Sequence, residues 1–194
     1  MTQPAETLHG PSAGPHPSRP AIPSGDRPTY PSDEGLYITH WRLDAPPEAV
    51  WQALTEVDQW PRWWPYVRRV ELLRRGREPD GVGALRRLQW GSRLPYGFTL
   101  DVECVEAEAP RRLRGRSTGA LEGVGVWELW PDGLGTVVRY TWRLHLNTAW
   151  MRLAAPLMSP VFRWNHEGVM RRGGQGLSRW LRRPDRVGAM GDDP

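Results

Sequence analysis

Residues 136–147, TVVRYTWRLHLN, alternate apolar and polar side chains along their length. Val138, Tyr140, Trp142 and Leu144 fall on one face of such a segment, and the arginines fall on the other. This period of two predicts a β-strand with one buried and one solvent-exposed face. Similar segments bounded by Gly, Pro or Asp recur upstream and predict an antiparallel sheet. The predicted strands cover residues 36–43, 67–75, 83–91, 98–109, 112–120, 123–130 and 136–147.

The apolar period changes from two to that of a helix near the C-terminus. From residue 160 to 183 the apolar side chains form one stripe, and the arginines lie mostly off it, which predicts a long helix packed on the sheet. After the first strand, Asp44 can cap a helix whose first turn takes two prolines. Residues 60–67 hold four aromatic residues and two prolines, which suits a short helical turn.

The ends of the chain differ in composition from its middle. Residues 1–34 contain eight prolines and almost no aliphatic side chains, so they cannot bury enough apolar surface to offset the entropy of ordering. We therefore expect a disordered tail over 1–34, one folded domain over 35–183 and a flexible tail over 184–194.

Composition and charge exclude several classes of protein. The 194 residues carry a net charge of +4, and all 26 basic residues are arginine. These arginines are scattered among acidic residues without a nucleic-acid-binding motif, so we expect no nucleic-acid partner. The single cysteine, Cys104, excludes an internal disulfide. Without a signal peptide or an apolar run that could span a membrane, the sequence predicts a cytoplasmic protein.

Motifs for metals, nucleotides and nucleophilic catalysis are absent from the sequence. The five histidines are isolated, without HxH or HExxH spacing, so we expect no metal site. No GxGxxG sequence links a strand to a helix, and neither a P-loop nor a GxSxG elbow occurs. We therefore expect no cofactor.

Four short segments resemble a known family: 45–51 (APPEAVW), 58–65 (DQWPRWWP), 81–83 (GVG) and 135–138 (GTVV). With the predicted order of elements, they resemble the SRPBCC, or START-like (Bet v 1-like), superfamily and its polyketide cyclase/dehydrase-like branch. The resemblance implies an α+β helix-grip fold. About seven antiparallel strands would curve around a long C-terminal helix, with two short helices after strand 1 and a cavity for a hydrophobic ligand between sheet and helix.

His166 is the most informative polar residue, because it lies on the apolar stripe of the last helix. There it could act as a general base or hydrogen-bond a ligand carbonyl, or it could be a core imidazole. Small residues at 115, 117 and 119 face large rings, which favours a cavity, although the rings could instead fill the core. The candidate ligand-binding residues are Trp90, Tyr96, Ser117, Glu122, Trp127, Tyr140, Trp142, Phe162, His166 and Met170.

Three charged residues have an ambiguous orientation in the predicted strands. Glu122, Glu128 or Arg87 could point into the cavity, where burial would raise the pKa of a carboxyl group. A register with Trp127 and Leu129 inward, which we favour, leaves Glu128 in solvent.

Three functions are compatible with these features. The first is binding of a hydrophobic small molecule of lipid, polyketide or isoprenoid type. The second is an aromatase/cyclase in which His166 works with Tyr140 or Glu122 as acid and base. The third is an interaction module similar to chaperone activators. The apolar segment 149–162, interrupted by two prolines, could be a lid, a transient contact with a membrane surface, or a short docked helix.

Overall fold

A computed structural model describes residues 34–93, 97–119, 121–145 and 149–183, with the side chains of the last range described from residue 160 onward. Both predicted tails, except for residue 34, and Tyr96 lie outside the described residues.

The described chain forms one antiparallel sheet of seven strands and three α-helices. The sheet order is β1-β7-β6-β5-β4-β3-β2, so the first and last strands are neighbours. This arrangement confirms the predicted helix-grip class. The strands are β1 (Glu34–Leu43), β2 (Val67–Arg74), β3 (Leu85–Trp90), β4 (Phe98–Glu108), β5 (Arg112–Gly119), β6 (Glu122–Asp132) and β7 (Gly135–His145). The helices are α1 (Pro47–Thr55), α2 (Trp60–Trp63) and α3 (Ala149–Leu181), with a 3-10 turn at Val57–Gln59.

The register of β6 and β7 places apolar residues on the inner face of the sheet. Trp127 and Leu129 are buried, as the favoured register predicted. Glu128 points to the outer face, where its Oε2 accepts hydrogen bonds of 2.7 and 2.9 Å from Arg139. Arg87 is also on the outer face and donates two 2.8 Å hydrogen bonds to Asp101. Neither Glu128 nor Arg87 therefore enters a cavity.

Helix α3 is longer than the sequence pattern predicted. It runs without interruption over 33 residues, from Ala149 to Leu181, through Pro156 and Pro160. Of the alternatives for residues 149–162, a short docked helix separate from the long helix is therefore wrong. A proline removes one helical hydrogen bond, but two prolines four residues apart lie on the same side of the helix, so the bonds on the other side can continue.

Glycines allow α3 to approach the tryptophans of α2. A Cβ atom at Gly173 would lie 2.7 Å from Nε1 of Trp64, and one at Gly176 would overlap the carbonyl oxygen of Trp63. The Trp64 indole N–H donates a 3.0 Å hydrogen bond to the Val169 carbonyl. The glycine-rich part of α3 therefore serves close packing of the helix against α2.

Candidate functional site

Tryptophan rings fill the part of the grip next to α1 and α2. Trp64 is 1% exposed. Its ring stacks on Trp63 with 5.3 Å between centroids and packs edge-to-face with Trp90 at a centroid distance of 5.1 Å. We call this group the tryptophan cluster, and its members are Trp41, Trp60, Trp63, Trp64, Trp90 and Trp127. Trp90 and Trp127, two of the predicted ligand-binding residues, thus pack against other rings of the protein.

Rings on β7 cover glycines on β6. Tyr140 stacks on Trp127 with 4.1 Å between ring centroids, and its hydroxyl lies 2.6 Å from where a Cβ of Gly125 would be. Trp142 similarly brings Nε1 within 3.2 Å of a Cβ placed on Gly123. Burial holds the pKa of Tyr140 above its usual value, so its phenol stays protonated. These glycines therefore make room for aromatic rings and do not by themselves leave an open cavity.

His166 forms a second group with Tyr37 of β1 and Trp142 of β7, which we call the imidazole cluster. The imidazole lies 4.7 Å from the Tyr37 ring and is stacked at 23° on Trp142, 5.7 Å away. Its Nε2 atom is buried and has no hydrogen-bond partner among the described residues. Burial lowers the pKa of His166 to about 4. The cluster thus contains an uncharged imidazole nitrogen that can exchange a hydrogen bond with a further group.

Tyr37 is a member of this cluster that the sequence analysis did not select. Burial raises the pKa of its phenol, while the positive charge of Arg163 acts in the opposite direction. Alternation in β1 contained the signal, because Tyr37 shares its strand face with Trp41 and Leu43, both of which are buried. Tyr37 also lies opposite Trp142 in the pairing of β1 with β7.

The remaining predicted ligand-binding residues lie in different environments. Ser117 is buried, and its hydroxyl donates a 3.4 Å hydrogen bond to the Gly123 carbonyl. Met170 is 4% exposed and belongs to the core. Glu122 is exposed at the start of β6, where it alternates with the buried Gly123. Phe162 is 41% exposed, although the helical stripe placed it on the buried face.

The chain after β3 packs against α3 beside the imidazole cluster. The Arg93 guanidinium lies 3.6 Å from the centre of the Trp164 ring, and its backbone N–H donates a 2.9 Å hydrogen bond to Oδ1 of Asn165. A Cβ at Gly168 would overlap the Arg93 side chain. Residues on both sides of His166 in α3 therefore hold Arg93 in place.

A groove of about 760 Å³ lies between the edge of β1 and α3. We call it the β1–α3 groove, and it is lined by residues 38–43 and by one stripe of α3 from Glu167 to Arg182. Met170 is the one predicted ligand-binding residue among its lining residues. The groove and the imidazole cluster are therefore separate features of the structure.

Within residues 34–93, 97–119, 121–145 and 149–183, no three His, Cys, Asp or Glu side chains come together as metal ligands. None of the helices in that part of the chain is long and apolar enough to cross a membrane.

Proteins of known identity resemble this chain in sequence and in structure. Oxopyrrolidines biosynthesis cluster protein O of Penicillium oxalicum is 24% identical over 150 residues, which are 69% of this chain and 71% of that protein. The Zhui aromatase/cyclase from Streptomyces sp. R1128 superposes with a TM-score of 0.62 at 15% identity, over 80% of this chain and 98% of the other.

Two further solved structures share the fold. The di-domain ARO/CYC BexL of the BE-7585A biosynthetic pathway has a TM-score of 0.64 at 21% identity, over 79% of this chain and 52% of the other. Ara h 8.0201 has a TM-score of 0.55 at 12% identity, over 76% of this chain and 97% of the other. Residues 39–180 match the family described as polyketide cyclase / dehydrase and lipid transport. The chain belongs to this family, which confirms the resemblance to SRPBCC proteins.

Proposed function

We propose that the protein binds a hydrophobic small molecule through the imidazole cluster, between the sheet and α3. The observation that carries this proposal is the buried Nε2 of His166, which lacks a hydrogen-bond partner among the described residues. Leaving such a group unpaired costs about 1–3 kcal/mol. A ligand hydroxyl or carbonyl at this nitrogen would recover that energy.

The electrostatics of the cluster favour an uncharged ligand with an aromatic or other planar apolar part. His166 is neutral near pH 7, because burial lowers its pKa to about 4. Tyr37 is also neutral, since its pKa is raised. The rings of Tyr37 and Trp142 can stack on a planar ligand. A polyketide-like phenol or ketone fits these properties better than a fully aliphatic lipid.

Several indole N–H groups are also buried without a partner among the described residues, namely those of Trp41, Trp63 and Trp90. These rings belong to the tryptophan cluster, where neighbouring rings occupy the space around them. His166 lies outside that cluster, with its ring centroid 4.7 Å from that of Tyr37 and 5.7 Å from that of Trp142. Its unpartnered nitrogen is therefore a better candidate for a ligand contact than the indoles.

Binding is better supported than acid–base catalysis by His166. A general base works best when its pKa is close to the working pH, and a pKa of about 4 is far below neutrality. The predicted partners do not compensate for this: Tyr140 holds its proton, and Glu122 is exposed. The aromatase/cyclase mechanism with these residues is therefore the weaker candidate.

We also propose that the protein is cytoplasmic and that residues 149–162 touch a membrane surface during ligand exchange. Support comes from Val161 and Phe162, which are 38% and 41% exposed at the end of this apolar segment. Exposed apolar side chains on a helix are typical of interfacial contacts.

Calorimetric titration with 2-naphthol, naphthalene and farnesol tests the proposal. We expect 2-naphthol to bind at least about fivefold more tightly than naphthalene, because only its hydroxyl can satisfy Nε2 of His166. In His166→Phe this preference should disappear while naphthalene binding persists. His40→Phe, a change at an exposed histidine, is the matched control. Equal affinity for the two naphthalene compounds, or an unchanged preference in His166→Phe, would contradict the proposal, and tighter binding of farnesol would reassign the ligand class.

A further inference from the structure

The β1–α3 groove presents the free edge of a strand. β1 is the first strand in the sheet order, and among the described residues only one of its sides pairs, with β7. The lining residues 38–43 are consecutive and include residues of both faces of the strand. Side chains on the two faces of a strand point in opposite directions, so a groove that touches both faces must run along the edge of the strand. An unpaired edge offers backbone N–H and C=O groups to another extended chain.

The opposite wall of the groove is basic. Three arginines line this wall, Arg171, Arg179 and Arg182, against one acidic residue, Glu167, and Arg42 adds a fourth from β1. Arg42 and Arg182 have acidic neighbours, since they lie 3.9 Å from Asp132 and 3.7 Å from Asp44, respectively.

Arg171 and Arg179 differ from the other two arginines. Both are exposed, and neither makes an ion pair or a side-chain hydrogen bond within the part of the chain that the structure describes. The groove thus combines a strand edge with two guanidinium groups that are available to an anionic partner.

We propose that the β1–α3 groove binds an extended acidic segment of a partner protein, which adds as a strand to β1 and places carboxylates against Arg171 and Arg179. This is a second site, distinct from the imidazole cluster. Backbone hydrogen bonds to β1 would hold the added strand, and the two arginines would make binding selective for acidic sequences.

The spacing of the two arginines defines the motif. Eight residues of α-helix separate Arg171 from Arg179, which corresponds to about 12 Å along the axis. In an extended strand, side chains four residues apart lie on the same face and are separated by about 13 Å. The preferred segment therefore carries two Asp or Glu residues four positions apart. The groove volume, about 760 Å³, is of the size needed for a short peptide.

The floor of the groove is formed where β1 packs closely on α3. Met170, Gly174 and Ser178 line it on α3 at intervals of four residues. A Cβ at Gly174 would lie 2.9 Å from the Trp41 ring, so this glycine lets Trp41 pack against the helix and closes the floor. The added strand would lie over this floor, with its glutamate or aspartate side chains extending toward the arginines.

Fluorescence anisotropy with labelled nine-residue peptides and the full-length chain tests this proposal. The first peptide alternates Val and Thr and has two glutamates four positions apart. In the second the glutamates are three positions apart, on opposite faces of a strand. The third repeats the first sequence with N-methyl groups on both edges of its backbone, which removes strand pairing. We expect the first peptide to bind about tenfold more tightly than the other two.

Substitutions in α3 test whether the peptide binds in the β1–α3 groove. Arg171→Gln combined with Arg179→Gln should weaken binding of the first peptide about tenfold. Arg172→Gln, at an exposed position of the same helix outside the groove lining, should leave binding unchanged. His166→Phe should also have no effect, which separates this site from the imidazole cluster.

Three results would overturn the proposal. The first is no binding of the first peptide at 1 mM, and the second is equal binding of the N-methylated peptide. The third is equal displacement of the peptide by single-stranded DNA of matched charge, which would reassign the groove to a polyanion without a strand.

Discussion

Adding one methyl group at Gly173 should destabilise the protein, although alanine favours a helix more than glycine does. The added Cβ would lie 2.7 Å from Nε1 and 2.8 Å from Cζ2 of Trp64. Ordinary carbon contacts are about 3.5–4.0 Å, so the indole would have to move by about 1 Å. Neighbouring rings resist this movement, because Trp41 and Trp60 lie 5.7 and 5.3 Å away. The movement would also strain the 3.0 Å hydrogen bond to the Val169 carbonyl.

These terms can be combined into an expected change in stability. Overpacking costs about 1–3 kcal/mol, and loss of the hydrogen bond costs about 1 kcal/mol more. Replacing glycine by alanine in a helix returns about 1 kcal/mol. Gly173→Ala should therefore lower the free energy of unfolding by about 1–3 kcal/mol, which corresponds to a melting temperature lower by roughly 2–12 °C.

Urea denaturation followed by tryptophan fluorescence and circular dichroism measures this change. Gln175→Ala, an exposed position on the same helix, is the control and should change stability by no more than about 0.5 kcal/mol. In a Trp64→Leu background the clash is removed, so Gly173→Ala should there become neutral or stabilising. If Gly173→Ala makes the otherwise unchanged protein as stable as wild type or more so, the close packing of α3 on Trp64 is refuted.

Three further predictions concern the site. The pKa of His166 is about 4 in the folded protein, below the ordinary 6.5 of the unfolded chain, so the unfolded chain binds the proton more readily. The free energy of unfolding should therefore be highest above pH 6.5 and should fall by up to about 3 kcal/mol as the pH decreases to 4. His166→Phe should remove this part of the pH dependence in urea titrations between pH 4 and 7, and identical slopes in the two proteins would count against it. Gly125→Ala should push the Tyr140 hydroxyl aside, reducing the near-ultraviolet circular dichroism signal and costing about 1–3 kcal/mol; an unchanged spectrum would show that the ring does not lie over this glycine. Glu122→Gln should leave 2-naphthol affinity within twofold of wild type, since this side chain is exposed, and a tenfold loss measured by calorimetry would place it in the site after all.

Local patterns predicted the strands most clearly where one face is buried and the other is exposed to solvent, as in β1. The alternation in 136–147 identified the inner face of β7, and the favoured register of β6 correctly placed Glu128 on the outer face, where Arg139 donates hydrogen bonds to it. These features depend on a period of two that is visible within a few residues. The family resemblance added the order and pairing of strands that the period alone does not determine.

Features that depend on contacts between distant segments were predicted only in part, since Trp142 and His166 were candidate site residues and Tyr37 was not. The cluster of Tyr37, Trp142 and His166 joins the first strand, the last strand and α3, and nothing local links these positions. Similarly, small residues at 115, 117 and 119 suggested a cavity, whereas a Cβ placed on Gly115 would lie 3.1 Å from Cγ1 of Val102, and the Tyr140 hydroxyl lies over Gly125, the pairing partner of Gly115. Whether a ring fills the space next to a glycine depends on its rotamer and on the strand beside it.

The central claim is that a bound ligand satisfies the buried Nε2 of His166. Nitrogen-15 NMR of the labelled imidazole, recorded during titration with 2-naphthol, observes this atom directly. The account predicts a neutral imidazole at pH 7 whose Nε2 resonance shifts as the ligand saturates and whose Nε2 becomes a hydrogen-bonded nitrogen. If 2-naphthol binds while the His166 resonances stay unchanged, the ligand lies elsewhere and the claim is contradicted.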